Sequence, residues 1–405
     1  MVQLNNTFKQ LSVRDDTSTR SKAGPANRNK QTSTSLPSAA TETLSKSTTS
    51  LLELISRLTS HLRRSNQFTP TLQHVKTLLY NKEYLTAFGT EGEEGENWRE
   101  VYFARWTPAR AVLYERAFRE LKVDQLLGWE EDEEEKERKR VAAERKKRGT
   151  NKASEEEEEE EDNKVEDQER TAENEVIMIG SGAGAEVLAL GCLLGNAKTQ
   201  EGKQKPRIKV KAIDQGNWAE LIRKMDEGME AEWPTLGTSH GMELEFVQGD
   251  LLSSYNVAPP SETSSVSSLP PLNLDLSSPR LKLVTILFTI TELLLQSRLS
   301  TLRFLSTLTA SAPKGLHLLI IESASLALIP IGTSGRTYPL GQLLDHALCG
   351  GGGGQWEIVK SEEAKWFRMP EGAEEVYNRD IEESGKGIKV KLENSRVVLR
   401  LYRKL

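Results

Sequence analysis

Apolar side chains recur at helical spacing in the first third of the chain. They fall three or four residues apart, which is the spacing of amphipathic helices. Representative positions are Leu51, Leu52, Ile55, Leu58 and Leu62, then Leu72, Val75, Leu78 and Leu79, then Val112, Leu113, Ala117, Phe118 and Leu121. Thr107 precedes Pro108 here, a pair typical of an N-cap followed by the first helical residue. The pattern therefore predicts a small helical domain over residues 49–128, in which one helix begins at Thr107.

Short β-branched apolar runs replace this pattern after residue 172. Seven of them are typical of strands, at residues 176–179, 208–214, 242–247, 283–289, 316–322, 356–360 and 397–402. Because helical stretches separate most of these runs, they predict a mainly parallel sheet covered by helices on both faces. We expect the last two strands to form an antiparallel pair at one edge. Residues 173–405 are thus predicted to form an α/β domain of Rossmann type, with its ligand beyond the carboxyl ends of the strands.

Polar segments flank and interrupt these regions. They are a basic Ser/Thr-rich tail at residues 1–48, a charged low-complexity linker at 129–172 and a Ser/Pro-rich insert at 256–280. The tail carries too few apolar side chains to offset the entropy of ordering, so we expect it to be disordered. The net charge of −6 arises from acidic runs that conceal basic clusters at 136–140 and 145–148. These clusters resemble a nuclear-import signal, and the alternative is a plain solvated linker.

The two cysteines and the lengths of the apolar runs indicate the cellular compartment. Cys192 and Cys349 lie far apart, without the spacing of a disulfide framework or a zinc cluster. No apolar run reaches the ~18 residues that a membrane span needs. We therefore expect a soluble intracellular protein without a metal site or a membrane contact.

Three glycines join the first predicted strand to the helix that follows it. Gly180, Gly182 and Gly184 allow a sharp turn and let a ligand approach the backbone, while the helix N-terminus offers unpaired N–H groups. Ala185 can serve as the last position of a dinucleotide fingerprint, so these residues alone also permit NAD. The alternative is an ordinary strand-to-helix turn without a ligand.

Carboxylates follow the next two strands. Asp214 ends the second strand, where a ribose diol would be held, and Asp250 follows the third, where a carboxylate suits the amino edge of an adenine. Together with the glycine turn, they resemble an S-adenosylmethionine-dependent (SAM-dependent) methyltransferase more than a dehydrogenase. The expected cofactor-binding residues are Gly180, Ser181, Gly182, Gly184, Glu186, Asp214, Gln215, Asp250, Leu251 and Thr289.

Several stretches, in order along the chain, are similar to a known family. They are Leu72–Lys76 with Tyr84–Phe88, Ala104–Arg110, the glycine turn, Leu287–Leu293, Tyr338–Leu340 with Leu343–His346, Lys365–Arg368 and Leu392–Arg396. Together they resemble the fungal uridine-N3 methyltransferases of large-subunit ribosomal RNA, specifically the sixth base methyltransferase subgroup, which is a SAM-dependent family. The chain departs from that pattern at Thr291, where an Asn is expected, and at Glu322, which replaces an Asp in an Asp-Ser-Pro-Gly type of segment.

The resemblance implies a class I SAM-dependent methyltransferase fold with SAM as cofactor. It implies ribosomal RNA or a pre-ribosomal particle as the partner and a nuclear or nucleolar location, with the cytoplasm as a further one, and we expect a monomer. Uridine N3 must lose a proton before it can be methylated, and Glu292, at the end of the fourth strand, is the candidate base. Its alternative roles are to orient the methionine ammonium or to cap the next helix.

Basic and aromatic side chains provide candidate RNA contacts. Arginines beside aromatics could stack on an RNA strand and neutralise it, and the same side chains could equally be core and surface residues. The candidate substrate-binding residues are Arg105, Trp106, Arg110, Lys365, Trp366, Arg368, Asn394 and Arg396.

Two other functions stay open at this stage. The departures at Thr291 and Glu322 would suit a catalytically inert methyltransferase-like module that serves ribosome assembly through its charged linker. An NAD-dependent oxidoreductase is permitted by Ala185, but the chain shows no recognisable hydride-transfer constellation.

Overall fold

The computed structural model describes residues 43–129, 173–197, 206–237, 241–255, 269, 272–330, 336–350 and 354–405. The expectations for the tail up to residue 42, for the charged linker from residue 130 and for most of the Ser/Pro-rich insert lie outside the described residues. Among the described helices, none combines the length and the apolar character of a membrane span. The same residues hold no cluster of His, Cys, Asp and Glu side chains suited to a metal ion.

The N-terminal region is helical, as its apolar spacing predicts. Its helices are α1 Lys46–Arg64, α2 Phe68–Tyr80, α3 Tyr84–Gly89, α4 Gly92–Glu120 and α5 Val123–Leu126. The Ser45 hydroxyl accepts a hydrogen bond from the Thr48 backbone N–H at 3.1 Å and so caps α1. The first helix therefore begins within the segment expected to be a tail.

The predicted helix start at Thr107 is wrong, because α4 runs through Pro108 without a break. A proline inside a helix leaves the carbonyl of the fourth residue before it without an N–H donor. That carbonyl belongs to Ala104, and the buried Tyr377 hydroxyl donates a hydrogen bond to it at 2.7 Å. Residues around the proline are also buried, including Phe103. The replacement bond and the packing together let the helix continue.

The remaining elements build the sheet and its covering helices. The strands are β1 Glu173–Ile179, β2 Arg207–Asp214, β3 Met242–Gln248, β4 Leu281–Leu287, β5 His317–Ser323, β6 Leu328–Pro330, β7 Thr337–Pro339, β8 Trp356–Phe367 and β9 Ser395–Lys404. The helices among them are α6 Ala185–Gly195, α7 Ala219–Glu232, α8 Ile290–Ser311, α9 Leu340–Cys349 and α10 Ala373–Ser384.

Seven strands form one sheet in the order β3-β2-β1-β4-β5-β9-β8, and β6 and β7 form a separate pair. Neighbours among β1 to β5 are parallel, whereas β9 runs antiparallel to both β5 and β8. The prediction of a mainly parallel sheet with an antiparallel pair at one edge is confirmed.

The side chains of β1 alternate between the two faces of this sheet. Val176 and Met178 join a core made with the N-terminal helices and α6, whereas Ile177 and Ile179 join a core made with α8 and α9. The N-terminal helices therefore continue the core of one sheet face, where α4 packs along α6.

The strand β8 extends to Phe367, beyond the predicted end at residue 360. Within the β8–β9 ladder, Trp366 is paired with Arg396 and Phe367 with Ser395. Because β9 begins beside the carboxyl end of β5, these residues lie at the edge of the sheet where the parallel strands end.

Candidate functional site

A pocket at the carboxyl ends of β1, β2 and β4 gathers most of the expected cofactor residues. The expected residues that line it are Gly180, Ser181, Gly182, Glu186, Asp214, Gln215, Leu251, Thr289 and Glu292. Gly184 and Asp250 lie beside this lining without belonging to it. Of the eight candidate substrate residues, Arg110 lines the pocket and the others do not.

The three glycines turn the chain at the floor of the pocket with positive φ angles of 69°, 42° and 67° at Gly180, Gly182 and Gly184. A Cβ at Gly180 would lie 2.3 Å from side-chain atoms of Thr289, and one at Gly184 would lie 2.2 Å from Met225 Cε. Gly180 therefore allows the turn to approach the end of β4. Gly184 instead serves the packing of α6 on α7.

The Asp214 carboxylate holds this turn in place. It accepts hydrogen bonds from the backbone N–H of Gly182 at 2.9 Å, from that of Gly216 at 2.7 Å and from Trp218 Nε1 at 3.0 Å. Burial raises the pKa of Asp214, and these bonds oppose the rise because they favour the charged form. Asp214 also lines the pocket, so its contact with a ribose hydroxyl stays a prediction.

Asp250 acts on the pocket through its neighbours. Its Oδ1 accepts hydrogen bonds from Gln215 Nε2 and from the Leu252 backbone N–H, both at 2.9 Å. Gly249 and Leu251, on either side of it, line the pocket. Asp250 thereby fixes the segment where an adenine is expected, and its own contact with the base stays a prediction.

A strained turn follows β4. Phe288 has a φ of 54°, a conformation that such a side chain rarely adopts. Its backbone N–H donates to the Ile321 carbonyl at 2.7 Å, and the Thr289 hydroxyl donates to the Gly180 carbonyl at 3.3 Å. Strain of this kind is concentrated at functional sites. Here it presents Phe288 and Glu292 to the pocket.

The Glu292 carboxyl lines the pocket and has an altered pKa. Burial, together with the nearby carboxyl of Glu322, raises the pKa of Glu292 to about 7, and Arg110 opposes this rise. In the described part of the chain no hydrogen bond or ion pair engages the carboxyl. It is therefore available to a ligand, and it is partly ionised at neutral pH.

The two positions where the chain departs from the similar family contact each other. The Thr291 hydroxyl and backbone N–H donate to Glu322 Oε2 at 2.6 Å and 3.1 Å, and the Ser323 N–H donates to Oε1 at 2.8 Å. Glu322 thus satisfies an N–H in the first turn of α8. The Glu292 side chain is not needed to cap this helix at that N–H.

Two buried polar atoms of the lining have no hydrogen-bond partner among the described residues. They are Ser181 Oγ and Glu186 Oε1. The other Glu186 oxygen accepts a bond from the Thr285 hydroxyl at 2.7 Å, and burial raises the pKa of Glu186 to about 8. An unpaired buried polar atom costs about 1–3 kcal/mol. Both atoms therefore suit a ligand that brings its own polar groups.

The N-terminal helices cover the pocket. The lining residues that they supply include Tyr84, Phe88, Tyr102, Arg110 and Tyr114. The Thr107 hydroxyl donates to the Ala183 carbonyl at 3.3 Å and so docks α4 on the glycine turn. Sequence reasoning proposed only the arginine as a site residue. The aromatic residues have no local signal, although Tyr84 and Phe88 lie in one of the stretches that carry the resemblance.

The other candidate RNA contacts on α4 face away from the pocket. Residues five apart on a helix are turned by about 140°, so Arg105 and Arg110 point in different directions. Arg105 pairs with Glu393 and donates to the Lys391 carbonyl at 3.3 Å. Trp106 packs on Tyr102, with ring centroids 4.6 Å apart.

Some of the candidate RNA-contact side chains at the β8–β9 edge bind other residues of the protein, and others are exposed to solvent. Lys365 pairs with Glu120, and the Asn394 side chain accepts a hydrogen bond from the Met369 N–H at 2.7 Å. Trp366 is 55% exposed. The nearby Arg368 and Arg396 are exposed as well.

The sheet order, the glycine turn after β1 and the acid at the tip of β2 define a class I SAM-dependent methyltransferase. A family profile described as "Putative SAM-dependent methyltransferase" matches residues 55–403. This match covers most of the chain, and the chain belongs to that family. SAM is its cofactor, and neither the NAD alternative nor the inert alternative is supported.

Known proteins are similar to this chain along most of its length. The 25S rRNA (uridine(2843)-N(3))-methyltransferase of Saccharomyces cerevisiae is 24% identical over 354 residues, which make up 82% of this chain and 77% of the yeast protein. The resemblance inferred from the sequence is thereby confirmed.

Solved methyltransferase structures are more distant. The N-methyltransferase NodS from Bradyrhizobium japonicum, in complex with S-adenosyl-L-homocysteine, is 11% identical over 57% of this chain and 78% of its own, with a TM-score of 0.28. The arsenic(III) S-adenosylmethionine methyltransferase CrArsM from Chlamydomonas reinhardtii is 13% identical over 57% of this chain and 63% of its own, with a TM-score of 0.30. At these TM-scores the fold assignment rests on the sheet order and on the family match.

Proposed function

We propose that this enzyme methylates N3 of a uridine in large-subunit ribosomal RNA. The observation that carries this proposal is the similarity to the yeast rRNA uridine-N3 methyltransferase along 82% of the chain. The pocket supports it because a carboxyl with a pKa near neutrality stands beside the cofactor-binding turn.

Glu292 supplies the proton chemistry in this proposal. Bound SAM provides an electrophilic methyl group. The uracil N3 becomes nucleophilic only when it loses its proton, and Glu292 is placed to accept that proton. Since its carboxyl has no other engagement in the described residues, it is free to form this bond. Aromatic side chains of α3 and α4 line the same space. A bound substrate that displaces water from it would strengthen the electrostatic interactions inside.

The exposed edge of the β8–β9 pair is the proposed RNA contact. Trp366 can stack on a base, while Arg368 and Arg396 can neutralise phosphates. A uridine within a helix would have to leave its stack to enter the pocket, and an exposed aromatic side chain such as Trp366 could stack on the bases of the opened RNA. The other candidates make contacts within the protein: Lys365 pairs with Glu120, Arg105 pairs with Glu393 and Asn394 accepts from the Met369 N–H, while Trp106 packs on Tyr102.

We also propose the cellular setting of the enzyme. Methylation of ribosomal RNA would take place on free RNA or on a pre-ribosomal particle in the nucleus or nucleolus. The basic clusters between residues 136 and 148 would suit import into that compartment. A monomer is sufficient, because the pocket is completed by elements of one chain.

Nucleoside analysis of cells that lack the gene tests this function. Large-subunit rRNA from these cells should contain less N3-methyluridine than rRNA from the parent strain. Re-expression of the wild-type chain should restore the nucleoside, and a Glu292→Gln chain should not. Unchanged N3-methyluridine together with loss of another methylated nucleoside would refute the uridine-N3 assignment and leave the methyltransferase class intact.

A further inference from the structure

Within the described residues the guanidinium of Arg110 makes no ion pair, although Glu292 is close enough for each charge to act on the pKa of the other. It lines the pocket, and its Nη1 donates to the Tyr102 hydroxyl at 2.7 Å. It also lies over the Phe288 ring, 5.4 Å from the centroid. Among the described residues, no carboxylate lies within ion-pair distance of it. Because a guanidinium carries five N–H donors and Tyr102 accepts from one nitrogen, further donors are available to a ligand in the pocket.

The position of Arg110 along the pocket indicates which part of a ligand it meets. The strand order places the tips of β3, β2, β1 and β4 side by side, so the pocket runs along this edge of the sheet. Asp214 and Leu251 mark the end at β2 and β3, where the adenosine is expected. Arg110 stands over Phe288 at the β4 end, beyond the glycine turn. A SAM molecule with its adenosine at β2 and β3 therefore extends its methionine portion toward Arg110.

An acid with an unpaired oxygen borders the same end. Glu186 is 2% exposed, and its Oε1 has no partner among the described residues. The buried Tyr114 lies near both charges: burial raises the pKa of its hydroxyl, Arg110 lowers it and Glu186 raises it. The ring of Tyr114 lies 6.1 Å from that of Phe288. Arg110 and Glu186 thus both line the pocket near Tyr114, and Glu292 lines it as a second acid.

We propose that Arg110 binds the carboxylate of the cofactor's methionine portion and that Glu186 Oε1 binds its ammonium. A zwitterion needs one partner of each charge, and charge-assisted hydrogen bonds in a buried site are strong enough to select it. This assignment depends on SAM as the cofactor and is independent of the base that is methylated. It makes α4, an N-terminal helix, part of the cofactor site.

Cofactor analogues that lack one charge at a time test the Arg110 half of the assignment by isothermal titration. Arg110→Gln should weaken binding of SAM on the order of 10- to 100-fold, and should leave binding of decarboxylated SAM unchanged. Arg110→Lys should recover part of the SAM affinity. The control Arg116→Gln, on the same helix but in contact with the Arg368 backbone outside the pocket, should bind SAM like the wild type.

Two results would overturn this half. One is wild-type SAM affinity in Arg110→Gln, which would leave the arginine free for the RNA. The other is an equal loss of affinity for SAM and decarboxylated SAM, which would show an effect on the fold. If Arg110→Gln does not fold, the wild-type protein still tests the contact. Equal affinity of the wild type for SAM and for decarboxylated SAM would refute it.

Glu186→Gln tests the proposed contact between Glu186 and the ammonium of the methionine portion. It should weaken binding of S-adenosylhomocysteine and leave binding of 5′-methylthioadenosine, which lacks the whole amino-acid portion, unchanged. The wild type should also release a proton when it binds S-adenosylhomocysteine at neutral pH, because the Glu186 carboxyl must ionise to meet an ammonium. Titrations in buffers of different ionisation enthalpy measure this proton. The assignment would be overturned if Glu186→Gln still released this proton, or if it lost affinity for S-adenosylhomocysteine and 5′-methylthioadenosine equally.

Discussion

Two glutamates with raised pKa values lie in the same pocket in different surroundings. Glu186 is buried and bound through one oxygen to Thr285, whereas Glu292 is partly exposed to the pocket and its carboxyl is unengaged within the described residues. A fixed carboxyl with one unpaired oxygen suits a cation. An unengaged carboxyl with a pKa near neutrality suits proton transfer. The two acids can therefore divide cofactor binding and chemistry between them.

Glu292 should set the pH dependence of the reaction. Because the base must be ionised and its pKa is raised to about 7, kcat/KM should rise with pH and level off above that value. Glu292→Gln should lower kcat by about 10²–10⁴-fold with little change in SAM affinity. Any remaining rise with pH in the variant should occur only where uridine N3 itself ionises. A wild-type profile that is flat from about pH 5.5 to 8 would contradict the base assignment.

At the scale of residues, local sequence signals located the side of the pocket that the sheet forms. Gly180 and Asp214 stand at the ends of recognisable strands and Glu292 lies in the helical turn that follows one, so their positions follow from the topology of a parallel sheet. Tyr84 and Tyr102 stand in helices with no such marker. Their place in the pocket depends on how the helices dock on the sheet, which apolar spacing does not specify.

The helix α4 is the element that joins the N-terminal region to the site. It carries Thr107, which docks on the glycine turn, and Arg110, which enters the pocket. The sequence predicted a helix start at Thr107 because local rules favour one there. A tertiary contact, the Tyr377 hydroxyl on the Ala104 carbonyl, overrides those rules.

A double-mutant cycle tests this account of α4. Tyr377→Phe removes a buried hydroxyl that bonds Ala104 and should lower the free energy of unfolding by about 1–3 kcal/mol. In a Pro108→Ala background the loss should be smaller, because the new N–H of Ala supplies the Ala104 carbonyl. Denaturant unfolding measures each corner of the cycle. Strictly additive effects would show that the hydroxyl does not substitute for the missing helical bond.

At the scale of the whole molecule, the N-terminal helices and one face of the sheet form a single hydrophobic core. The sequence predicted both the helical region and the sheet, including the antiparallel edge pair, from periodicity. It could not predict that one covers the other, since periodicity shows which face of an element is apolar and not what packs on it. The division into a helical domain and a methyltransferase domain thus describes the order along the chain. The pocket belongs to both.

The central claim is that this pocket transfers a methyl group to N3 of uridine with Glu292 as base. The most direct measurement is incubation of the purified chain with SAM and large-subunit rRNA that lacks base methylation, followed by mass spectrometry of the nucleosides. We expect N3-methyluridine with the wild type and at least a hundredfold less with Glu292→Gln, within the range for loss of a general base of about 10²–10⁴. Methylation at another base or at ribose, or equal N3-methyluridine from the two proteins, would contradict the account.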